Sequence, residues 1–262
     1  MNVSVIVPAA GQSTRFGESD KLIQDLGGRP LLIRTIELLS KREEVNQILV
    51  GAPPEDLEQF RERFAATLGF LGATVVEGGR VDRWETVQNA LHHVSPDATH
   101  IAVHDAARPG VSMALLDRLF EAARSKAAVV PGVRINSTVK RVSSESETVR
   151  AIEEDGVADA ILGEVGRVEI ETLKVLETVS REDLMEIQTP QIFDADLFRR
   201  AYAQEDLSGT DDAMLVERLG ESVYVVEGDV GNLKVTTPSD LTLIRAVMGV
   251  RGPEKRPVHK QF

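Results

Sequence analysis

The feature that most constrains the fold is an alternation in the first half of the chain. Short apolar runs rich in β-branched residues recur at Val3–Val7, Gln47–Gly51, Thr74–Glu77, Ile101–His104 and Ala128–Val133. Helical patterns separate them, at Pro30–Ser40, Glu55–Phe64, Glu85–Val94 and Ser112–Lys126. Strands alternating with helices of this length predict parallel β-α-β units, with helices on both faces of a mostly parallel central sheet. With 262 residues, 42% of them hydrophobic, a single α/β domain over residues 1–250 can bury its own core.

The alternation breaks near Asn136–Val149. Thr138–Val142 and Thr148–Ile152 are expected to pair as a hairpin. An acidic insert from about Ser143 to Val179 is expected to carry a short helix, within a protruding β-arm at about 136–180. The pattern then resumes with helices near Ala195–Gln204 and Asp211–Leu219 and a strand at Val223–Glu227. A last helix is expected to open at Ser239 as N-cap. Residues 251–262 hold two prolines and four basic side chains and read as a flexible tail.

Composition removes several kinds of chemistry. There is no cysteine, so disulfides, thiolate nucleophiles and cysteine-based zinc sites are excluded. The five histidines show no metal-ligand spacing. A formal charge of -12 argues against a sequence-independent nucleic-acid binder. An anionic ligand must therefore be met by local cations, backbone N–H groups or a metal ion. The first apolar run has no basic region before it and stops at Pro8, and no stretch approaches the length of a membrane span. No membrane partner and a cytoplasmic location are expected.

In open α/β sheets, ligands bind beyond the carboxyl ends of the strands. That rule singles out Pro8–Asp20, Gly78–Trp84 and His104–Pro109, all unusually polar or glycine-rich. In the first, Pro8, Ala9, Ala10 and Gly11 are small enough to let backbone approach a nucleotide, and turn N–H groups there suit phosphate oxygens. The dinucleotide fingerprint and the P-loop pattern are both absent. Arg15 and Lys21 instead supply two cations, which suit a triphosphate whose charge shifts during reaction. Read alone, the loop fits an ordinary glycine turn with two solvated cations equally well. Asp105, at the end of the fourth strand, has the chemistry to hold Mg2+ against a phosphate. Arg108 reads as its ion-pair partner or as a functional cation.

Taken in order, these segments resemble the 2-C-methyl-D-erythritol 4-phosphate cytidylyltransferases of the non-mevalonate isoprenoid pathway. The match runs from Pro8-Ala9-Ala10-Gly11 with Arg15 and Lys21, through Gly78-Gly79, Arg83, Thr86-Val87 and His104–Pro109. It continues at Ser137-Thr138-Val139-Lys140, at Arg181 with Thr189–Phe193, at Thr210-Asp211-Asp212-Ala213 and at Asn232–Thr236. The resemblance covers about residues 3–245. It implies a Rossmann-like nucleotidyltransferase fold and in-line transfer of CMP from CTP to the phosphate of a small alditol phosphate, releasing pyrophosphate. It further implies that Arg15, Lys21, Arg181 and Lys234 are catalytic. Pro8, Ala9, Ala10, Gly11, Gly79, Arg83, Thr86 and Asp105 would bind CTP, with Asp105 also the Mg2+ ligand. Thr138, Arg181, Thr189 and Lys234 would hold the acceptor phosphate. The family's arm embraces a second subunit, which implies a homodimer.

Three positions depart from the family pattern. Ser137 and Ser180 stand where aspartate is usual, and Thr86 stands where serine is usual. The first two touch the acceptor side, where a sister group acting on ribitol 5-phosphate is the nearest competitor. The segment between Thr138 and Arg181 is also longer than usual. A dehydrogenase is disfavoured by the first loop. A non-catalytic nucleotide sensor on the same fold would explain the two serines, but gives no reason to keep Arg15, Lys21, Asp105 and Lys234 together.

Overall fold

The computed structural model describes residues 1–11, 16, 20–150 and 169–252. The chain divides into two compact units, one of Met1–Val133 together with Ile187 onward, the other of Arg134–Glu186.

The first unit opens with the expected alternation. Its strands are β1 (Val3–Pro8), β2 (Val45–Ala52), β3 (Ala73–Glu77), β4 (His100–Val103) and β5 (Ala128–Arg134). Between them lie α1 (Leu31–Leu39), α2 (Leu57–Phe70), α3 (Arg83–Leu91) and α4 (Met113–Ala123). After β8 (Met185–Ile187) come β9 (Gln191–Asp194), α5 (Ala195–Tyr202), α6 (Ala213–Arg218), β10 (Tyr224–Glu227) and α7 (Pro238–Val247). The sheet runs β10-β5-β9-β4-β1-β2-β3. Along this order the pairs are parallel except at β9, which lies antiparallel to both β4 and β5, while β8 pairs with β5 off this path.

The pleat explains how the short apolar runs divide the core. Successive side chains of a strand point to opposite faces. Val3, Val5 and Val7 of β1 therefore pack with Leu32 and Ile36 of α1, Phe64 of α2 and Leu115 and Leu119 of α4. Ile6 points the other way and packs with Val87 of α3, Phe198 of α5 and Val216 of α6. Both faces of the sheet are covered, and β1 is buried along nearly its whole length. Each such side chain contributes about 1.5–3 kcal/mol by leaving water, which fixes the strand's register against slippage.

Helix limits differ from the expected ones for local reasons. The buried stripe Phe60, Phe64, Leu68 carries α2 past Phe64, and the helix stops before Gly72, whose φ of 76° ends it. Helix α3 begins two residues earlier than expected, which places Arg83 on its first turn. Thr237, not Ser239, caps α7: the Thr237 hydroxyl accepts the Asp240 N–H while the Asp240 carboxylate accepts the Thr237 N–H. Pro238 is well suited to the first helical position, so the cap falls one residue before it.

The second unit corrects the expected hairpin. Thr148–Arg150 does not fold back on Thr138–Val142; Thr148–Arg150 and Val139–Val142 belong to one long strand, β6 (Val139–Arg150), which Thr138 immediately precedes. Its partner is β7 (Glu169–Val179), in an antiparallel ribbon. The polar Ser143-Ser144-Glu145 cluster reads as a turn but forms an irregularity within the strand. There the Ser143 hydroxyl donates to the Glu145 carbonyl and accepts the Lys174 N–H. The described part of the acidic insert is thus strand, and residues 151–168 lie outside the described residues, as does 253–262 of the expected tail. Among the described residues, no helix is long and apolar enough to cross a membrane.

Candidate active site

A cavity of about 540 Å³ lies beyond the carboxyl ends of β1, β3 and β4. Each strand delivers one wall.

Beyond β1, the Ala9 N–H donates to the Gly51 carbonyl at 2.8 Å and extends the parallel ladder by one residue. That carries Pro8, Ala9, Ala10 and Gly11 to the cavity wall. Lys21 and Leu22 close the same side from a single 3-10 turn, Lys21–Ile23, whose Leu22 N–H is capped by the Asp20 carboxylate at 2.9 Å. Arg15 lies outside the described residues.

Beyond β3, Gly79 is packed too closely for a side chain unless its neighbours shift. A Cβ there would lie 2.2 Å from the Glu85 Cβ and 2.8 Å from the Thr86 nitrogen. The closeness lets the Gly79 N–H donate to the Thr86 hydroxyl at 2.9 Å. Thr86 is buried, and its methyl fills the space that a Cβ at Gly51 would need. Threonine at this position thus keeps the hydroxyl for the loop and adds an apolar contact with β2.

Beyond β4 the site becomes ionic. Asp105 is buried, and its Oδ2 lies 2.9 Å from Lys234 Nζ and 3.3 Å from Arg108 Nε, while Oδ1 lies 3.3 Å from Arg83 Nε. Burial alone would raise the Asp105 pKa. The charges of Arg83, Lys234 and Arg108 outweigh it and hold the carboxyl well below the usual carboxylate range. Asp105 is therefore an anion on the cavity wall, with Lys234 as a half-exposed cation beside it.

A neutral hydrogen-bond chain fixes the loop from behind. The Asp105 N–H donates to Thr189 Oγ1 at 3.0 Å, and the Thr189 hydroxyl contacts His104 Nδ1 at 3.1 Å. His104 Nε2 lies 3.1 Å from the Arg108 carbonyl, which can only accept. Nε2 therefore carries the proton and Nδ1 accepts the Thr189 O–H. Burial pushes the His104 pKa down to about 4, so the ring is neutral near pH 7. Arg108 Nη1 donates to the Asn232 carbonyl at 2.8 Å, and Asn232 Nδ2 donates to the Thr189 carbonyl at 2.8 Å. The segment bearing Lys234 is thus locked to the segment bearing Asp105.

The first unit therefore brings together Pro8, Ala9, Ala10, Gly11, Lys21, Gly79, Arg83, Thr86, Asp105 and Lys234 around one cavity. Thr189 has a different place from the one expected at the acceptor phosphate. It is buried, and its hydroxyl is engaged by Asp105 and His104. Thr138 and Arg181 belong to the second unit, where both are exposed and Arg181 Nη1 donates to the Asn136 carbonyl. Sequence reasoning assigns no role to His104, Asn232 or Asp212. All three lie inside motifs quoted for the family resemblance, and they face inward rather than toward the cavity.

The family model described as 2-C-methyl-D-erythritol 4-phosphate cytidylyltransferase matches residues 3–170 and 157–250. Proteins of that name from Frankia casuarinae and Rhodococcus jostii are each 37% identical to the chain over 248 residues. Those alignments cover 94% of this chain and 81% and 95% of the respective relatives. The crystal structure of 2-C-methyl-D-erythritol 4-phosphate cytidylyltransferase from Thermus thermophilus superposes with a TM-score of 0.70 at 32% identity, covering 95% of this chain and 100% of that one.

Proposed function

The chain belongs to the 2-C-methyl-D-erythritol 4-phosphate cytidylyltransferase family, and from that premise we propose how its own residues carry out the transfer of CMP from CTP to 2-C-methyl-D-erythritol 4-phosphate. The observation that supports the reading is the cavity itself. Close-packed backbone at Ala10 and Gly79 suits a base and ribose, while Lys21, Lys234 and Asp105 suit phosphates and a metal.

An oxygen of the acceptor phosphate attacks the α-phosphorus of CTP. One new P–O bond forms, the bond from the α-phosphorus to the bridging oxygen breaks, and pyrophosphate leaves with that electron pair. The acceptor oxygen is already an anion, so no general base is needed. Catalysis then rests on alignment and on cations placed where negative charge grows. Lys21, with Arg15, neutralises the α-phosphate and the leaving group. Lys234 holds the acceptor phosphate, and Thr138 and Arg181 are proposed to serve the same group. Thr189 keeps the Asp105 loop in place. Backbone groups at Ala10 and Gly79 read the cytosine edge, so that uracil would leave polar groups unpaired.

Asp105 is proposed to hold a Mg2+ ion as a single carboxylate, whose two oxygens here face Arg83, Arg108 and Lys234. It is ionised and on the cavity wall. One carboxylate shared with substrate phosphates is a usual donor set for Mg2+. Such an ion would supply charge neutralisation on the phosphates.

A homodimer through the β6–β7 ribbon is part of the proposal. Val142, Val149, Ile170, Leu173, Val175 and Leu176 are all exposed there, and a two-stranded ribbon is marginal in water by itself. Cytoplasmic residence is proposed too, since both substrates are multiply charged and do not cross membranes unaided. Pyrophosphate release from CTP, measured with a panel of alditol phosphates, tests the assignment. Release that depends on 2-C-methyl-D-erythritol 4-phosphate supports it. Release only with ribitol 5-phosphate would move the chain to the sister activity, and no release with any acceptor would leave a nucleotide sensor.

A further inference from the structure

The first unit buries an acid behind the cavity wall. Asp212 is 1% exposed, at the start of α6. Its Oδ1 accepts the Tyr202 hydroxyl at 2.6 Å, and its Oδ2 lies 2.7 Å from Arg83 Nη1. That second oxygen has no other polar partner among the described residues. The carboxylate therefore serves two groups, and one of them, Arg83, lines the cavity.

The backbone around Asp212 is held from both sides. Gln191 Oε1 accepts the Ala213 N–H at 3.1 Å, and Gln191 Nε2 donates to Asp211 Oδ2 at 2.7 Å. Asp211 Oδ1 accepts the Met214 N–H at 3.1 Å. Tyr202 is held by its ring, which packs on Phe198 with centroids 4.8 Å apart, and Phe198 in turn stacks on Phe193 at 4.9 Å. Burial and the Asp212 charge push the Tyr202 pKa up, so its hydroxyl remains a donor. A rigid acceptor thus stands behind a long, otherwise adaptable side chain.

We propose that Asp212 is a positioning residue for nucleotide binding. It pins one end of the Arg83 guanidinium so that the other end meets Asp105 at the cavity wall, and Tyr202 fixes the rotamer of Asp212. The arrangement is a relay of contacts, Tyr202 to Asp212 to Arg83 to Asp105, with charges alternating along its last three members. Without Asp212, Arg83 keeps a single carboxylate partner and swings toward Asp105, changing the shape and charge presented to a phosphate. A carboxylate needed only to satisfy a buried tyrosine hydroxyl would not require Arg83 at 2.7 Å, since a neutral acceptor suffices for that purpose.

This inference rests on the reading of the cavity as the CTP site, and the experiment separates the two. CTP dissociation constants are measured by calorimetry, without acceptor, for the wild type, Asp212→Asn, Tyr202→Phe, Arg83→Ala and the Asp212→Asn/Arg83→Ala double variant, with a thermal melt of each. Asp212→Asn is expected to weaken CTP binding about tenfold or more, and Tyr202→Phe about threefold. Once Arg83 is alanine, Asp212→Asn is expected to weaken it no further. A purely structural role would lower the melting temperature and leave the dissociation constant of the folded fraction unchanged. That result, or effects of Asp212→Asn and Arg83→Ala that multiply independently, would overturn the proposal. If Asp212→Asn does not fold, Tyr202→Phe decides alone: wild-type affinity in that variant overturns it. A wild type that binds no CTP would instead overturn the assignment of the cavity, and this inference with it.

Discussion

Thr189 Oγ1 accepts the backbone N–H of Asp105 at 3.0 Å, and this one contact ties the segment entering β9 to the loop that carries the site's central carboxylate. The same hydroxyl donates to His104 Nδ1, a direction that needs the neutral ring, since a protonated Nδ1 would donate to the hydroxyl instead. Loop geometry and imidazole protonation are therefore one structural question.

Acid stability follows from it. The folded protein takes up a proton at His104 only near pH 4, against an ordinary value of 6.5. Between those values the unfolded chain binds more protons, so stability rises with pH there and is lost as pH falls from about 6.5 toward 4. The slope reaches at most about 1.4 kcal/mol per pH unit. Asp105 acts in a separate, lower window. Its depressed pKa contributes stability that is present above the ordinary aspartate value of 3.8 and lost as pH falls below it. Urea midpoints at pH 7 and pH 5 should differ in the wild type and differ less in His104→Gln.

Removing the shared hydroxyl should also be felt at the site. Thr189→Val keeps the shape but leaves the Asp105 N–H and His104 Nδ1 without partners, at a cost of about 1–3 kcal/mol. Thr189→Ser should restore most of the stability. Denaturant unfolding of the two variants gives the comparison, and a larger loss in Thr189→Ser than in Thr189→Val would show that methyl packing, not the hydroxyl, dominates.

Gly79→Ala tests the close packing under the proposed base site. Its Cβ would meet Glu85 Cβ at 2.2 Å, so the loop or α3 must shift. A loss of about 1–3 kcal/mol is expected, with the KM for CTP raised more than kcat is lowered. Steady-state kinetics at saturating acceptor separates the two, and an unchanged KM would remove the base from this wall.

These residues show what the chain makes legible and what it hides. The three strand-end segments are readable because a parallel sheet forces ligand sites to its carboxyl end, and all three line the cavity. Strand β9 is not readable: Gln191–Asp194 is four residues long, follows a proline, and inserts antiparallel by tertiary pairing that no local period encodes. The β6–β7 ribbon is misleading in sequence because Ser143-Ser144-Glu145 has turn composition yet lies within a strand. The Asp212–Arg83 contact joins residues far apart in the chain, so spacing carries no trace of it.

Lys21→Ala separates positioning from charge stabilisation. A cation that acts mainly on the leaving pyrophosphate should lose about 10²–10³ in turnover, with a smaller change in the KM for CTP. A thermal melt alongside the kinetics checks the fold. Normal turnover in a folded variant would remove Lys21 from the mechanism.

The central claim, that CMP passes intact from CTP to the acceptor phosphate, is tested most directly by following the α-phosphate. The enzyme is incubated with Mg2+, 2-C-methyl-D-erythritol 4-phosphate and CTP labelled at the α-phosphorus, and the products are separated. The account predicts that label appears in the CDP-alcohol in step with unlabelled pyrophosphate, and only when the acceptor is present. Label accumulating as free CMP, or pyrophosphate released at the same rate without acceptor, would contradict it.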